Sequence, residues 1–392
     1  MALPSRQHSY SLDTLESMLL QRIDTLAREL APDGQKRSHE WVARNPNRAD
    51  NSLGSFSINL QTGKWSDFAA DDKSSRTWPC LSLVAYLATG GRWKSEAQRP
   101  GAIRWTRDWL GLTDRNATPA ERQKLNDMAE RAAAQRAHEE KTRTEKKRLA
   151  AHRIWLEAKP LDGTDPASLY LKARGIDVTQ LPGGIPGCLR WTMTCRRYTG
   201  DEQFSEHPAM LAAMHREGLP GGFAAVHRTY LVQEPGGRWW KAFGKDSKTI
   251  LGPKAGASIR LCRGPSDKPL GSAPEGEWAG ISEGIENGLS AAIACAKEYL
   301  NPCLSEPGLR ILAAGTLENI GKLVLPKAIE GVWLIADNDK PSQDPKRPGP
   351  FELLQRQAEQ LQDRDPPLAV KIAKAPAGYK DFNSVLMGEK QE

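Results

Sequence analysis

Two apolar runs that each stop on acidic residues constrain this chain more than anything else in it. One reads Trp278-Ala-Gly-Ile-Ser-Glu283-Gly284, the other Gly331-Val-Trp-Leu-Ile-Ala336-Asp337-Asn338-Asp339. Runs that are apolar almost without interruption suit strands covered on both faces, as in a parallel sheet. In such a sheet both ends emerge on the carboxyl edge, where ligands of open α/β sheets bind. Acids delivered there from neighbouring strands are suited to a hard divalent cation and to phosphoryl transfer.

The surrounding segment alternates. The pattern predicts a strand at 278–282, a helix from about 286 to 299, and a strand at 310–315. A short helix at about 317–323, a strand at 331–336, a helix from 351 to about 361 and a strand at 369–373 follow. This order implies a parallel sheet with right-handed crossovers. Glu286 falls inside the first of these helices and reads as structural support. Lys380-Asp381-Phe382-Asn383 lies just beyond the last strand.

Upstream, apolar positions from Leu12 to Leu30 recur at helical spacing. Segments 55–60 and 64–68, joined by Gln61-Thr62-Gly63, read as a hairpin, and 81–87 as a helix. Six of the twelve tryptophans (Trp41, Trp65, Trp78, Trp93, Trp105 and Trp109) fall here among basic residues. Base stacking is one use for them; filling the core of a small domain is the preferred one. From Thr118 to about Glu157 the chain is nearly free of Gly and Pro and carries mixed charge, which predicts a solvated connecting helix. A β-rich region follows, with 222–232 and 238–243 as paired strands and with Lys245, Lys248, Lys254, Arg260 and Arg263 adding positive charge before the first acid. The expected organisation is a small α+β domain (1–112), a charged helical connector (113–158), a basic α+β subdomain (159–275) and an α/β domain (276–392).

At 392 residues the chain has room for two or three cores. No apolar run approaches the roughly 18–20 residues that span a bilayer, and the first residues have no apolar stretch of a signal peptide; a cytoplasmic location without membrane contact is expected. A net charge of +7 favours a polyanionic partner. The six cysteines form no CxxC or close Cys/His cluster, so no zinc is expected.

Glu283-Gly284 with Asp337-Asn338-Asp339 on an alternating α/β segment resembles the Toprim domain of primases, topoisomerases and related nucleases. Tyr170-Leu-Lys-Ala-Arg174-Gly175-Ile176 is similar to the stretch that opens the catalytic core of DnaG-type bacterial primases. Val226-His-Arg228 and Lys241 resemble the basic strand motifs of that core, and Lys380-Asp381-Phe382-Asn383 stands where such primases carry Lys-Asp-Pro-Asp. The hairpin at 55–68 with the helix at 81–87 resembles the primase zinc ribbon, but Asn45-Pro-Asn-Arg48-Ala-Asp50 occupies the place of its metal ligands.

The resemblance implies a Toprim-like parallel sheet flanked by helices, preceded by the basic subdomain and the small N-terminal domain. It implies Glu283 as proton shuttle or metal ligand, and Asp337 and Asp339 as Mg²⁺ (or Mn²⁺) ligands, with Asp381 as an outer member. Arg174, Arg228, Lys241 and Lys248 become candidates for nucleotide phosphate or template contacts. The activity implied is primer synthesis on single-stranded DNA from nucleoside triphosphates, in replication of a phage or mobile element, with a separate replicative helicase as a candidate partner. A Toprim nuclease and a catalytically degenerate nucleic-acid-binding module stand as alternatives. No Walker A motif occurs.

Overall fold

The computed structural model describes residues 10–48, 53–68, 70, 72–112, 119–181, 183–200, 203–296, 309–339 and 348–390. Contacts divide the chain into two units, the first running to Lys141 and the second starting at Thr142.

In the first unit, helices Leu12–Gln21 and Ile23–Leu30 and helix Pro79–Leu87 pack with a five-stranded antiparallel sheet. The sheet runs Gln35–Arg37, Glu40–Ala43, Phe56–Asn59, Trp65–Asp67 and Asp72–Lys73, in chain order. The continuous periodicity from Leu12 to Leu30 resolves into two helices because Arg22 leaves the helical region (φ −114°, ψ 22°). Leu15, Leu19, Ile23 and Leu26 are buried on both sides of that break. The tryptophans serve the core: Trp41, Trp65 and Trp93 are buried, and Trp78, Trp105 and Trp109 pack around them. The Trp41 indole donates to the Ala31 carbonyl at 2.9 Å and the Trp65 indole to Ser82 Oγ at 3.0 Å, as buried indoles require.

Two buried carboxylates organise this unit. Helix Pro79–Leu87 begins with a proline, so its first free backbone donors are those of Cys80 and Leu81. Glu16, from another helix, accepts both, at 2.8 and 2.9 Å, and so caps that helix from a distance. Asp67 accepts from Asn45 Nδ2 (2.7 Å), Arg48 (2.8 Å) and the Tyr86 hydroxyl (2.8 Å). Burial opposes its charge, but these donors, with the Ala70 N–H at 3.1 Å, outweigh burial and hold the Asp67 carboxyl below its usual range. Asn45, Asn47 and Arg48 are therefore tied to the Trp65–Asp67 strand and the Pro79–Leu87 helix through side-chain hydrogen bonds.

The second unit is built on one mixed sheet of eleven strands among the described residues. Along its main path the order is Trp239–Lys241, Phe223–Gln233, Gln203–His215, Ser258–Cys262, Arg310–Ala313, Glu277–Ser282, Ile329–Ala336 and Ala369–Lys374. The last four are parallel, as the alternating pattern predicts. The antiparallel basic region continues the same sheet through Ser258–Cys262. Helices Pro166–Ala173, Ile285–Ala296 and Phe382–Met387 join one core cluster, and helix Pro350–Gln362 with the 3₁₀ turn Leu317–Lys322 joins another. Close approach of helix Ile285–Ala296 to its sheet depends on small residues. A Cβ on Gly280 would stand 2.7 Å from Ile311 Cδ1, and one on Gly288 2.7 Å from Leu261 Cδ1.

Replacing Glu16 with alanine strands two buried donors and is expected to cost the first unit about 1–3 kcal/mol. Urea unfolding followed by tryptophan fluorescence measures it, and Glu16→Gln, which retains an acceptor, should lose less.

Candidate active site

The parallel register explains how the acids meet. Ser282 pairs with Ile335, and each strand ends one residue later or at that residue. Glu283 and Asp337 therefore follow directly on adjacent strand ends at the carboxyl edge. Beyond them the backbone is held by asparagine side chains. Asn338 donates its backbone N–H to the Lys380 carbonyl at 2.6 Å and its side-chain amide to the carbonyls of Ala375 and Tyr379, both at 2.9 Å. Asn338 is thereby turned into the 375–380 loop, and the acids flank it.

Asn287 makes the second tie. Its Nδ2 donates to Asp337 Oδ1 at 2.6 Å, while its Oδ1 accepts from the Phe382 backbone at 3.0 Å. Asp381 caps the last helix, accepting from the Ser384 backbone at 2.7 Å. Lys380 Nζ stands 3.7 Å from Asp339 Oδ1. Asn383, in the place of an expected acid, is buried and donates to the Arg174 carbonyl (2.8 Å) and Ser290 Oγ (3.0 Å), tying the end of helix Pro166–Ala173 to helix Ile285–Ala296.

The carboxylates feel one another. Burial, then the charges of Asp381, Asp339 and Glu283, push the Asp337 carboxyl up to about 7, against Lys380. Glu283 is exposed as a residue, yet crowding of its carboxyl and the charges of Glu318 and Asp339 raise its pKa, against Lys248. Glu283, Asp337 and Asp339 line a pocket whose other wall is apolar, formed by Leu317, Ile320, Phe351 and Leu354. Among the described residues, no three His, Cys, Asp or Glu side chains stand close enough together as placed to hold a metal ion.

The predicted basic residues divide into two places. Lys241 and Lys248 end and begin two short strands along the same edge of Phe223–Gln233, opposite Leu231 and Thr229. Both reach the buried carboxylate of Glu286, Lys248 at 2.9 Å and Lys241 at 3.7 Å. Arg174 lies over the Trp240 ring at 5.4 Å, and Arg238 lies over the same ring at 3.8 Å. Arg228 sits one residue before Thr229, so its side chain takes the opposite face of the sheet, where it donates to the Arg196 carbonyl at 3.1 Å. Sequence reasoning gave Glu286 a supporting role only and passed over Asn287 and Glu318. The readable signal for Glu286 was its position one helical turn after Glu283.

A family model described only as a domain of unknown function, DUF7146, matches residues 145–261, which stops short of the acid-bearing strands. No curated protein matches the chain. Among solved structures, the zinc-binding and RNA polymerase domains of the Aquifex aeolicus primase align at 12% identity over 97% of this chain and 83% of that one, with a TM-score of 0.38. The primase fragment of the bacteriophage T7 primase-helicase protein aligns at 12% identity over 59% of this chain and 76% of that one, with a TM-score of 0.31. No helix among the described residues is long and apolar enough to cross a membrane.

The raised Asp337 pKa fixes the sign of a pH effect. A carboxyl with a raised folded pKa contributes stability fully below its unfolded pKa and loses it as pH rises through the folded value. Metal-free protein should therefore lose stability between about pH 4 and pH 7 at this group, and Asp337→Asn should flatten that slope. Urea midpoints across the range provide the check.

Proposed function

We propose that the chain is a primase-like nucleotidyltransferase that synthesises short primers on single-stranded DNA from nucleoside triphosphates. The observation that carries this reading is the gathering of Glu283, Asp337, Asp339 and Asp381 at one carboxyl edge, close enough to drive Asp337 up to about 7, next to the cations Lys241 and Lys248. The sequence resemblance to Toprim primases supports it on the same residues.

The chemistry of the donor set suits a divalent cation of the Mg²⁺ or Mn²⁺ kind, which would have to draw the carboxylates closer together than they stand. All the donor atoms are carboxylate oxygens, and their mutual repulsion is what a hard cation relieves. Asp337 and Asp339 would hold it, with Asp381 behind them. Such an ion, when bound, supplies charge stabilisation at the phosphoryl oxygens.

The chain's own residues account for the remaining roles. Lys241, Lys248 and Arg174 bind the phosphates of the incoming nucleotide. Glu283, with its raised pKa, takes the proton from the primer 3′-hydroxyl as that oxygen bonds to the α-phosphorus. Pyrophosphate leaves as the α–β phosphoanhydride bond breaks.

A primer-synthesis assay on single-stranded DNA with Mg²⁺ or Mn²⁺ tests this. Asp337→Ala combined with Asp339→Ala should lower incorporation by at least about 100-fold, the scale of losing an electrostatic stabiliser. Wild-type incorporation in that variant defeats the metal assignment. Metal-dependent nicking of DNA without nucleotides identifies a nuclease instead, and salt-sensitive DNA binding indifferent to metal identifies a binding module.

A further inference from the structure

Two lysines converge on a single buried anion, and an arginine stands near one of them. Glu286 is 6% exposed. Its Oε1 accepts from the Tyr170 hydroxyl at 2.6 Å and lies 3.7 Å from Lys241 Nζ, and its Oε2 accepts from Lys248 Nζ at 2.9 Å. Arg174 follows Tyr170 by four residues, so both share a face of the chain at this helix end. Its Nε is buried without a hydrogen-bond partner. Arg174, Lys241 and Lys248 against Glu286 make three positive charges to one negative. The surplus stands beside the Glu283-Gly284 turn, for a Cβ on Gly284 would lie 3.9 Å from Lys248 Nζ.

A carboxylate in a phosphate site competes with the ligand, so its presence needs a reason. Two lysines and an arginine packed together under burial repel one another, and Lys241 is depressed by burial and by Lys248 and Arg174, with Glu286 opposing that loss. Each ammonium carries three donors. One turned toward Glu286 fixes the group and leaves two for a ligand. The Tyr170 hydroxyl in turn fixes the carboxylate.

We propose that Glu286, anchored by Tyr170, is a positioning residue that keeps Lys241 and Lys248 side by side and charged, forming with Arg174 a cradle for the polyphosphate of a nucleotide. The other titratable groups facing the two lysines are Tyr170 and Arg174 from helix Pro166–Ala173, His227 from strand Phe223–Gln233, and Glu283 at the strand end. His227 is pushed down to about 3 by burial and by Lys248, and is neutral. Lys254 reaches this region electrostatically and donates to Thr316 Oγ1 at 3.1 Å. A ligand with several negative charges in a row matches the surplus better than a single carboxylate.

The ligand's identity as a nucleotide rests on the primase reading, but anion binding by the cradle is measurable without catalysis. The probe is inorganic tripolyphosphate, titrated calorimetrically into the full chain without divalent metal at three pH values between about 7 and 9, below the ordinary lysine range. Relative to wild type, Glu286→Gln should bind more weakly and its deficit should widen as pH rises, by up to about tenfold for each pH unit above the point at which Lys241 loses its proton. Glu286→Asp, which retains the charge, should follow the wild-type curve. Lys241→Ala should bind about tenfold more weakly at pH 7, the loss of one charge-assisted contact. Parallel pH curves for Glu286→Gln and wild type overturn the positioning role. Should Glu286→Gln fail to fold, wild-type affinity in Lys241→Ala overturns it, as does absence of tripolyphosphate binding by wild type. Binding with the expected pattern in a protein that makes no primers removes the primase reading and leaves the cradle standing.

Discussion

The parallel pairing of strand Glu277–Ser282 with strand Ile329–Ala336 is the constraint on which the acid edge depends. In a strand the side chains alternate between faces, so a slip of one residue would turn every buried side chain outward. Here the register is pinned by burial on both sides: Ala279 and Ile281 belong to the core cluster beneath helix Pro350–Gln362, while Ile311 and Ile335 lie in the cluster beneath helix Ile285–Ala296. A site assembled from strand ends inherits that rigidity. The carboxylates are held close together because the cores on either face oppose their separation.

Burying like charges this way is costly, and the two halves of the site meet the cost differently. At the acid edge the repulsion remains and shows as the raised Asp337 pKa. At the basic cradle it is offset within the chain by Glu286, whose carboxyl is held well below the usual range: burial opposes its charge, and Lys248, Lys241 and the Tyr170 hydroxyl outweigh it. In the first unit Asp67 is likewise a buried carboxylate held charged by its donors, one cationic (Arg48) and the others neutral. A buried ion pair is weak evidence for stability in itself. What these pairs do is fix where particular side chains stand.

Much of the parallel half was legible from local pattern. The strands, their order along the chain and the acids at their ends follow from apolar runs that stop abruptly, because burial on both faces leaves that imprint. The helix from residue 119 was legible for a different reason, its freedom from Gly and Pro with mixed charge, and the hairpin and the paired strands near 223 and 239 from short strand patterns bounded by turn residues. The break at Arg22 was not, since residues on both sides keep one period and only tertiary packing selects the kink. Nor were the roles of Asn287 and Asn338, whose partners lie far along the chain and whose residue type promises only a local turn. Arg228 illustrates the limit most plainly. The resemblance groups it with Lys241 and Lys248, whereas its place on the alternate face of the strand puts its side chain on the other side of the sheet.

The bonds from Asn338 to the carbonyls of Ala375, Tyr379 and Lys380, and from the Phe382 backbone to Asn287, make a late segment of the chain part of the acid edge. Chains emerge from the ribosome from the amino terminus, and earlier segments can fold first. Asp337 and Asp339 are made after Asn287 but before residues 375–382, which supply the other ties of the acid edge. The acid edge is thus completed only after every member of the basic group, Tyr170 to Glu286, has been made.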